Sequence, residues 1–330
     1  MPAKKAKLTG VKAPRRRPVD GVVLLDKPEG MSSNQALQQV KSLFGAQKAG
    51  HTGSLDPLAS GMLPVCFGRA TRLSAFLLDA NKRYVTRALL GHSTTTGDAE
   101  GEVLEELPVP ELGPDFLAET LERFSGEIEQ IPPMYSALKH QGTRLYQLAR
   151  QGIEVARAPR RVIIHSIELL GRGERHIDLA VACSKGTYIR TLVEDICKEL
   201  GTAGHVGQLR RIGVGELPPE RMLNLQELRE LAAEGLSALD SRVLPMDTIV
   251  GHLPAATLNE AGVRDIAHGR VTALEGFNHI GQLRLYDGDG EFVGIGEGQP
   301  GGRIAPLKVL CAQPDGNGTG AGAAKGPGTC

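Results

Sequence analysis

The residues best placed to do chemistry lie in one run, Gly50-His51-Thr52-Gly53-Ser54-Leu55-Asp56-Pro57-Leu58-Ala59-Ser60-Gly61-Met62-Leu63-Pro64. Its three glycines and two prolines dictate an irregular backbone, because Gly admits positive φ and Pro locks φ near about −65°. The run therefore reads as a loop, neither helix nor strand, that holds Asp56 and His51 in set places. A carboxylate held in this way is ionised at neutral pH and can act as a nucleophile or balance a developing cation. Taken alone, Asp56-Pro57 reads differently, as a helix N-cap followed by the first helical residue. A hydrolase using Asp56 and His51 with a metal is a further reading, but it needs more ligands. No His/Cys/carboxylate cluster has metal-ligand spacing, so neither a metal nor an organic cofactor is expected.

A second informative run is Val181-Ala-Cys-Ser-Lys185-Gly186-Thr187-Tyr188-Ile189-Arg190. After it, Ile189, Leu192, Val193, Ile196 and Leu200 recur at i, i+3, i+4, i+7 and i+11, an amphipathic helix stopped by Gly201. Tyr188 and Arg190 sit at its N-terminal end, where side chains can point into a cleft. On residue type alone the remaining candidates are unremarkable: Tyr84 starts a strand like many half-buried core tyrosines. Lys27 reads as a turn lysine, Leu209 as core, and His51 as a capping or core histidine.

Together these segments resemble the TruB family, the bacterial tRNA pseudouridine-55 synthases. The central run matches as His51-Thr-Gly-x-Leu-Asp56-Pro-x-Ala-x-Gly61-x-Leu63-Pro64, and Lys27-Pro28-x-Gly30-x-Ser32-Ser33 matches the motif that supports the catalytic loop. Lys82-Arg83-Tyr84, Ile131-Pro-Pro-Met-Tyr-Ser-Ala-Leu-Lys139, the Lys185–Arg190 stretch and Gly204-His205-Val-Gly-Gln-Leu209-Arg210-Arg211 follow in the same order. The likeness runs from about Asp20 to Met246. The resemblance implies that uridine at position 55 in the T-loop of tRNA is isomerised to pseudouridine. It implies Asp56 as nucleophile and Arg190 as its ion-pair partner. Tyr84, Tyr188, His51, Leu209 and Lys27 are the residues it assigns to the substrate.

The chemistry accommodates these roles. Breaking the N1–C1′ glycosidic bond leaves positive charge at the sugar, which a carboxylate can stabilise or trap as a covalent adduct of sugar or base. A base buried in an RNA loop must first be swung out, at a cost of a few kcal/mol, and an aromatic such as Tyr84 recovers part of that by stacking. Tyr188 is the candidate to take the C5 proton. The alternative is a tRNA-binding or tRNA-folding protein that has kept the scaffold without catalysis.

Several elements must position these groups. Gly21–Leu25 is a short β-type run, and Ser32 or Ser33 caps a helix with Leu37, Val40, Leu43 and Phe44 on its apolar face. Ala70 to Leu78 reads as a helix, Tyr84 to Leu90 as a strand, and Phe116, Leu117, Leu121 and Phe124 as the apolar face of another helix. Arg150, Arg157, Arg160 and Arg161 cluster beside a β-type run from Val162 to Leu170, where they could line an RNA groove or solvate an edge. Asn224 caps a further helix. Leu283–Tyr286 and Glu291–Ile295 flank Asp287-Gly-Asp-Gly290, a hairpin signal.

The expected fold is α/β (α+β): a pseudouridine synthase fold with a mixed, mainly antiparallel sheet, followed by a small PUA-type β-barrel. Length of 330 residues favours more than one domain. The expected boundaries are a basic disordered arm at 1–19, a catalytic domain at 20–248, a PUA-like RNA-binding domain at 249–312 and a Gly-rich disordered tail at 313–330. Net charge is zero from 38 basic and 38 acidic residues, which by itself argues against nucleic acid. Yet Lys4, Lys5, Lys7, Lys12, Arg15, Arg16 and Arg17 all precede the first acid, Asp20, and a basic arm on an acidic body suits phosphate contact. The expected partner is tRNA through its T-arm. Five scattered cysteines without a CxxC pair, and no signal peptide or membrane span, lead to the expectation of a cytoplasmic monomer with free thiols.

Overall fold

The computed structural model describes residues 16–310; the basic residues before Arg16 and the Gly-rich tail after Leu310 lie outside them. The chain divides into two compact units, with the division between Ile249 and Val250.

The first unit is built on a nine-stranded sheet. Its strands are β1 (Gly21–Lys27), β2 (Ala49–His51), β3 (Ser60–Phe67), β4 (Lys82–Leu90), β5 (Gly126–Gln130), β6 (Arg160–Gly173), β7 (His176–Cys183), β8 (Gly204–Val214) and β9 (Leu223–Asn224). The order is β9-β1-β3-β8-β4-β7-β6-β5, with β2 paired to β3. Only β1–β9 and β3–β8 run parallel; every other pairing is antiparallel. A mixed, mainly antiparallel sheet is thus what the chain adopts.

Two apolar clusters hold this unit. The helix Ser33–Leu43 is capped by Ser32, with a reciprocal bond from Gln35, and buries Ala36, Leu37 and Val40 with β1, β3 and the helix Leu225–Glu234. The helix Ile189–Glu199 buries Ile189, Leu192, Val193 and Ile196 against β4, β7 and β8. Burying each such side chain contributes about 1.5–3 kcal/mol, so the spacing that marks this helix in sequence also glues it to the sheet. Leu55 and Ala59 from the Asp56 loop join the same cluster, so the loop rests on the core that carries Arg190.

Three local expectations need correction. The central run is irregular only between β2 and β3, and Ser60–Phe67, Pro64 included, is strand. Pro64 pairs with Leu24 of β1, while its carbonyl turns the other way to accept Thr52 N–H at 3.1 Å. The missing proline N–H therefore falls beyond the last β2–β3 pair, His51 with Val65, where no ladder bond is lost. Ala70–Leu78 is not one helix but a 3₁₀ segment, Gly68–Leu73, followed by Ser74–Asp79; Thr71 Oγ1 donates back to Gly68 O at 2.7 Å and favours the tighter turn. Arg17, counted with the basic arm, is built into the body: it pairs with Asp240 at 2.6 and 2.8 Å and donates to Phe44 O at 2.9 Å.

The second unit, taken by itself, is a five-stranded sheet of Ala255–Thr257 (β10), Thr272–Ala273 (β11), Gly281–Tyr286 (β12), Phe292–Gln299 (β13) and Arg303–Val309 (β14), in the order β10-β12-β13-β14-β11. Asp287 shapes the β12–β13 turn, its carboxylate accepting Asp289 N–H and Glu291 N–H at 3.0 and 2.8 Å. Leu258, Ile266, Leu283, Leu285, Val293 and Ile304 form its own core. Among the described residues no helix is long and apolar enough to cross a membrane.

Candidate active site

Asp56 is held by its neighbours' backbone. Ser33 Oγ accepts Leu55 N–H at 2.7 Å and donates to Leu55 O at 2.9 Å. On the other side of Asp56, Pro57 O accepts Gly30 N–H at 2.8 Å and Lys27 Nζ at 3.4 Å. Ser32 thus caps the helix and Ser33 latches the loop, a division of labour that two adjacent serines do not disclose in sequence.

Lys27 is fully buried, its Nζ also donating to Met31 O at 2.6 Å and Pro28 O at 2.7 Å. Burial lowers the ammonium to about 8, while the Asp56 charge works the other way. Lys27 thus supports the loop through these carbonyls, the role its motif implies. Ser33→Ala is expected to leave the buried Leu55 amide unpaired, at a cost of about 1–3 kcal/mol in unfolding free energy. It should also lower turnover more than tRNA affinity; a denaturant titration alongside single-turnover and binding assays checks both.

Arg190 lies in the first turn of the Ile189–Glu199 helix, with only 6% of its side chain exposed. Its Nη2 stands 3.0 Å from Asp56 Oδ2 and also reaches Tyr135 O at 2.7 Å; Nη1 donates to Thr96 O at 2.7 Å. Its Nε faces Asp98 at 3.9 Å. Asp98 is buried, takes a 2.5 Å bond from Thr96 Oγ1 and accepts Glu100 N–H. None of the matched sequence motifs contains Asp98. Gln130, at the end of β5, clamps the Tyr188 backbone by donating to its O at 3.3 Å and accepting its N–H at 3.1 Å, so the start of the helix is anchored from the sheet.

Burial raises the Asp56 carboxyl above the ordinary carboxylate value; Arg190 pulls it back and Asp98 adds to the rise. The side chain nonetheless keeps 43% of its surface open, so solvent limits the rise and the ion pair keeps the group available as a carboxylate. The result is a half-open anion held by a buried cation.

Around it stand the aromatic candidates. Tyr84 and Leu58 pack on the same apolar cluster as Leu55, Ile189 and Leu209. The Asp56 charge is felt at both the Tyr84 and the Tyr188 phenol, each of which burial pushes above its usual value. Leu209 is 8% exposed, so its contribution is mainly packing beneath this group. His51 ends β2, with Nδ1 buried and unpartnered, and burial together with the Arg211 charge lowers its imidazole below the usual value. Asp56, Arg190, Tyr84 and Tyr188 are therefore brought together, with Lys27 and Leu209 beneath them.

A cavity of about 410 Å³ is lined by Thr96, Tyr135, Arg157 and Glu194 among others, and it adjoins the site at the Thr96 and Tyr135 carbonyls that Arg190 grips. Among the described residues no group of three or more His, Cys, Asp or Glu could hold a metal ion.

Comparison with known proteins carries these observations to a family. Residues 41–189 match the TruB family pseudouridylate synthase N-terminal domain, 190–251 the tRNA pseudouridylate synthase B C-terminal domain, and 254–310 the TruB pseudouridine synthase II C-terminal domain. A tRNA pseudouridine synthase B of Marinomonas sp. is 50% identical across 89% of this chain and 96% of its own; that of Shigella boydii is 45% identical across 91% and 99%. Among solved structures, a chain of a Cbf5–Nop10–Gar1 complex superposes with a TM-score of 0.69 at 26% identity, over 89% of this chain and 85% of that one. The first two matched segments meet between Ile189 and Arg190, so the Asp56 loop and its arginine come from adjoining parts of one conserved architecture. On these matches the chain belongs to the TruB family of pseudouridylate synthases.

Proposed function

We propose that this protein isomerises uridine to pseudouridine in tRNA, at position 55 of the T-loop, with Asp56 as nucleophile. The observation that carries the reading is the half-open Asp56 carboxylate, 3.0 Å from a buried Arg190 and next to two tyrosines. The relatives named above act on tRNA, which supports the substrate class. The target base leaves the loop and stacks on Tyr84, with His51 against the neighbouring RNA. Asp56 bonds to C1′ as the N1–C1′ bond breaks, its electron pair going to N1. The freed uracil turns, C5 bonds to C1′, and Asp56 departs with its electron pair. C5 then loses its proton and N1 gains one. Tyr188, a neutral phenol at rest, receives the C5 proton as it passes its own to a carboxylate oxygen of Asp56, which then gives that proton up through water to N1 and is restored as a carboxylate. The unit from Val250 and the basic residues at the N-terminus supply phosphate contacts, which set affinity more than they set the chemical step.

The direct test is tritium release from 5-tritiated uridine, in full-length tRNA and in a T-arm hairpin. Release in proportion to pseudouridine formed is expected; tight tRNA binding without release would favour the tRNA-folding reading. Tyr84→Phe should keep most of the activity, since the ring face remains, whereas Tyr84→Leu should lose about 1–3 kcal/mol of transition-state stabilisation. Equal losses in kcat/KM for the two variants would show that the hydroxyl, not the ring, matters.

A further inference from the structure

Arg211 is one of the largest fully buried side chains of the protein, at 1% exposure. Among the described residues no carboxylate forms an ion pair with it. A buried charge without a counter-ion is costly, and an apolar side chain of similar volume would fill the space at lower cost. Its retention needs a reason in what the guanidinium does.

Its contacts supply one. Nε donates to Met62 O at 2.7 Å and Nη2 to Gly53 O at 2.9 Å. Gly53 lies at the entrance of the loop carrying Asp56, and Met62 lies just beyond its exit, in β3. The backbone of Arg211 is fixed from both sides, opposite Tyr84 in β4 and Gly61 in β3. Gly61, at φ +99°, permits this approach, since a Cβ there would come within 2.3 Å of Arg211 O. Tyr84 stands directly across the strand pair from Arg211, and the Arg211 charge acts on His51 and Lys27.

We propose that Arg211 is a positioning residue, whose guanidinium clips the two ends of the Asp56 loop together while its backbone, paired across the sheet with Tyr84, sets that clip against the tyrosine. This rests on the isomerase reading and adds to it: one buried fork sets nucleophile and base seat relative to each other. Only a planar guanidinium can serve the Gly53 and Met62 carbonyls at once from two edges of one fork; an ammonium supplies the charge without the fork.

The test compares Arg211→Lys and Arg211→Met with the wild-type full-length protein, using tRNA and single-turnover tritium release. Both variants should lose kcat by about 10- to 100-fold, the scale of a small misplacement of reacting groups, with KM for tRNA little changed. The His51 imidazole, followed by NMR, separates charge from shape. In the folded protein burial and the Arg211 charge both act to lower it. Removing the charge in Arg211→Met should raise its titration, while Arg211→Lys should leave it near the wild-type position. Wild-type kcat in either variant, or a loss confined to KM, overturns the proposal. If Arg211→Met does not fold, Arg211→Lys decides alone: full activity there rules out the fork. Absence of release by the wild-type protein would instead sink the isomerase reading, so the two failures are distinguishable.

Discussion

Asp56→Asn is expected to yield a folded protein that binds tRNA and converts no detectable uridine. The loop does not depend on the carboxylate for its shape, because Ser33, Gly30 and Lys27 grip Leu55 and Pro57 rather than Asp56 itself. The ion pair with Arg190 is partly open to solvent, so its loss should change stability by no more than about 1 kcal/mol. An amide, however, is a poor nucleophile and cannot balance charge at C1′. Loss of a nucleophile in enzymes that use covalent catalysis costs on the order of 10⁴–10⁶ in kcat. Tritium release, tRNA affinity and Tm measured on one preparation check this. Retained turnover would remove Asp56 from the nucleophile's role and bring back the tRNA-binding reading.

Arg190→Met should damage folding as well as catalysis. Asp98, buried beside the guanidinium, would lose its cationic partner, and breaking a buried pair costs about 3–5 kcal/mol. The carbonyls of Thr96 and Tyr135 would lose their donors in the same step. Thermal unfolding should therefore shift down, and Asp98→Asn in the same chain should recover part of the loss by removing the stranded charge. An unchanged Tm in Arg190→Met would show that Asp98 does not rely on this arginine.

Arg190→Lys, which keeps the charge but not the fork, should fold better and remain slow. Its pH dependence carries a sign. Arg190 holds the Asp56 carboxyl down against burial, so a weaker cationic contact lets that carboxyl rise, and a higher pH is needed to ionise it. The acidic limb of the pH–rate profile should move to higher pH in this variant.

The arrangement places the cost of a charged site in its second layer. Asp98, Arg190, Arg211 and Lys27 are all buried, whereas the Asp56 carboxylate is half open. Fixed interior charges hold their geometry before substrate arrives, so little reorganisation is left for the chemical step.

Much of this protein was determined by sequence alone. The Ile189–Leu200 periodicity specifies a helix because burying one face every 3.6 residues leaves few other solutions. The Asp56 run, by its Gly and Pro content, specifies a constrained loop, and the matching of several ordered motifs specifies the chemistry. What only tertiary structure decided are pairings between residues far apart in the chain. Ser33 latches Leu55, Asp98 backs Arg190, Gln130 clamps Tyr188, and Arg211 joins Gly53 to Met62. Each of these residues is of a common type, even where, like Ser33 and Arg211, it lies within a matched motif, and each acts through a backbone group or a buried charge. Backbone carbonyls carry no residue identity, so no pattern of side chains announces them. Burial of a charge is likewise a property of the packed sheet rather than of the residue: Arg211 is buried because β8 lies between β3 and β4.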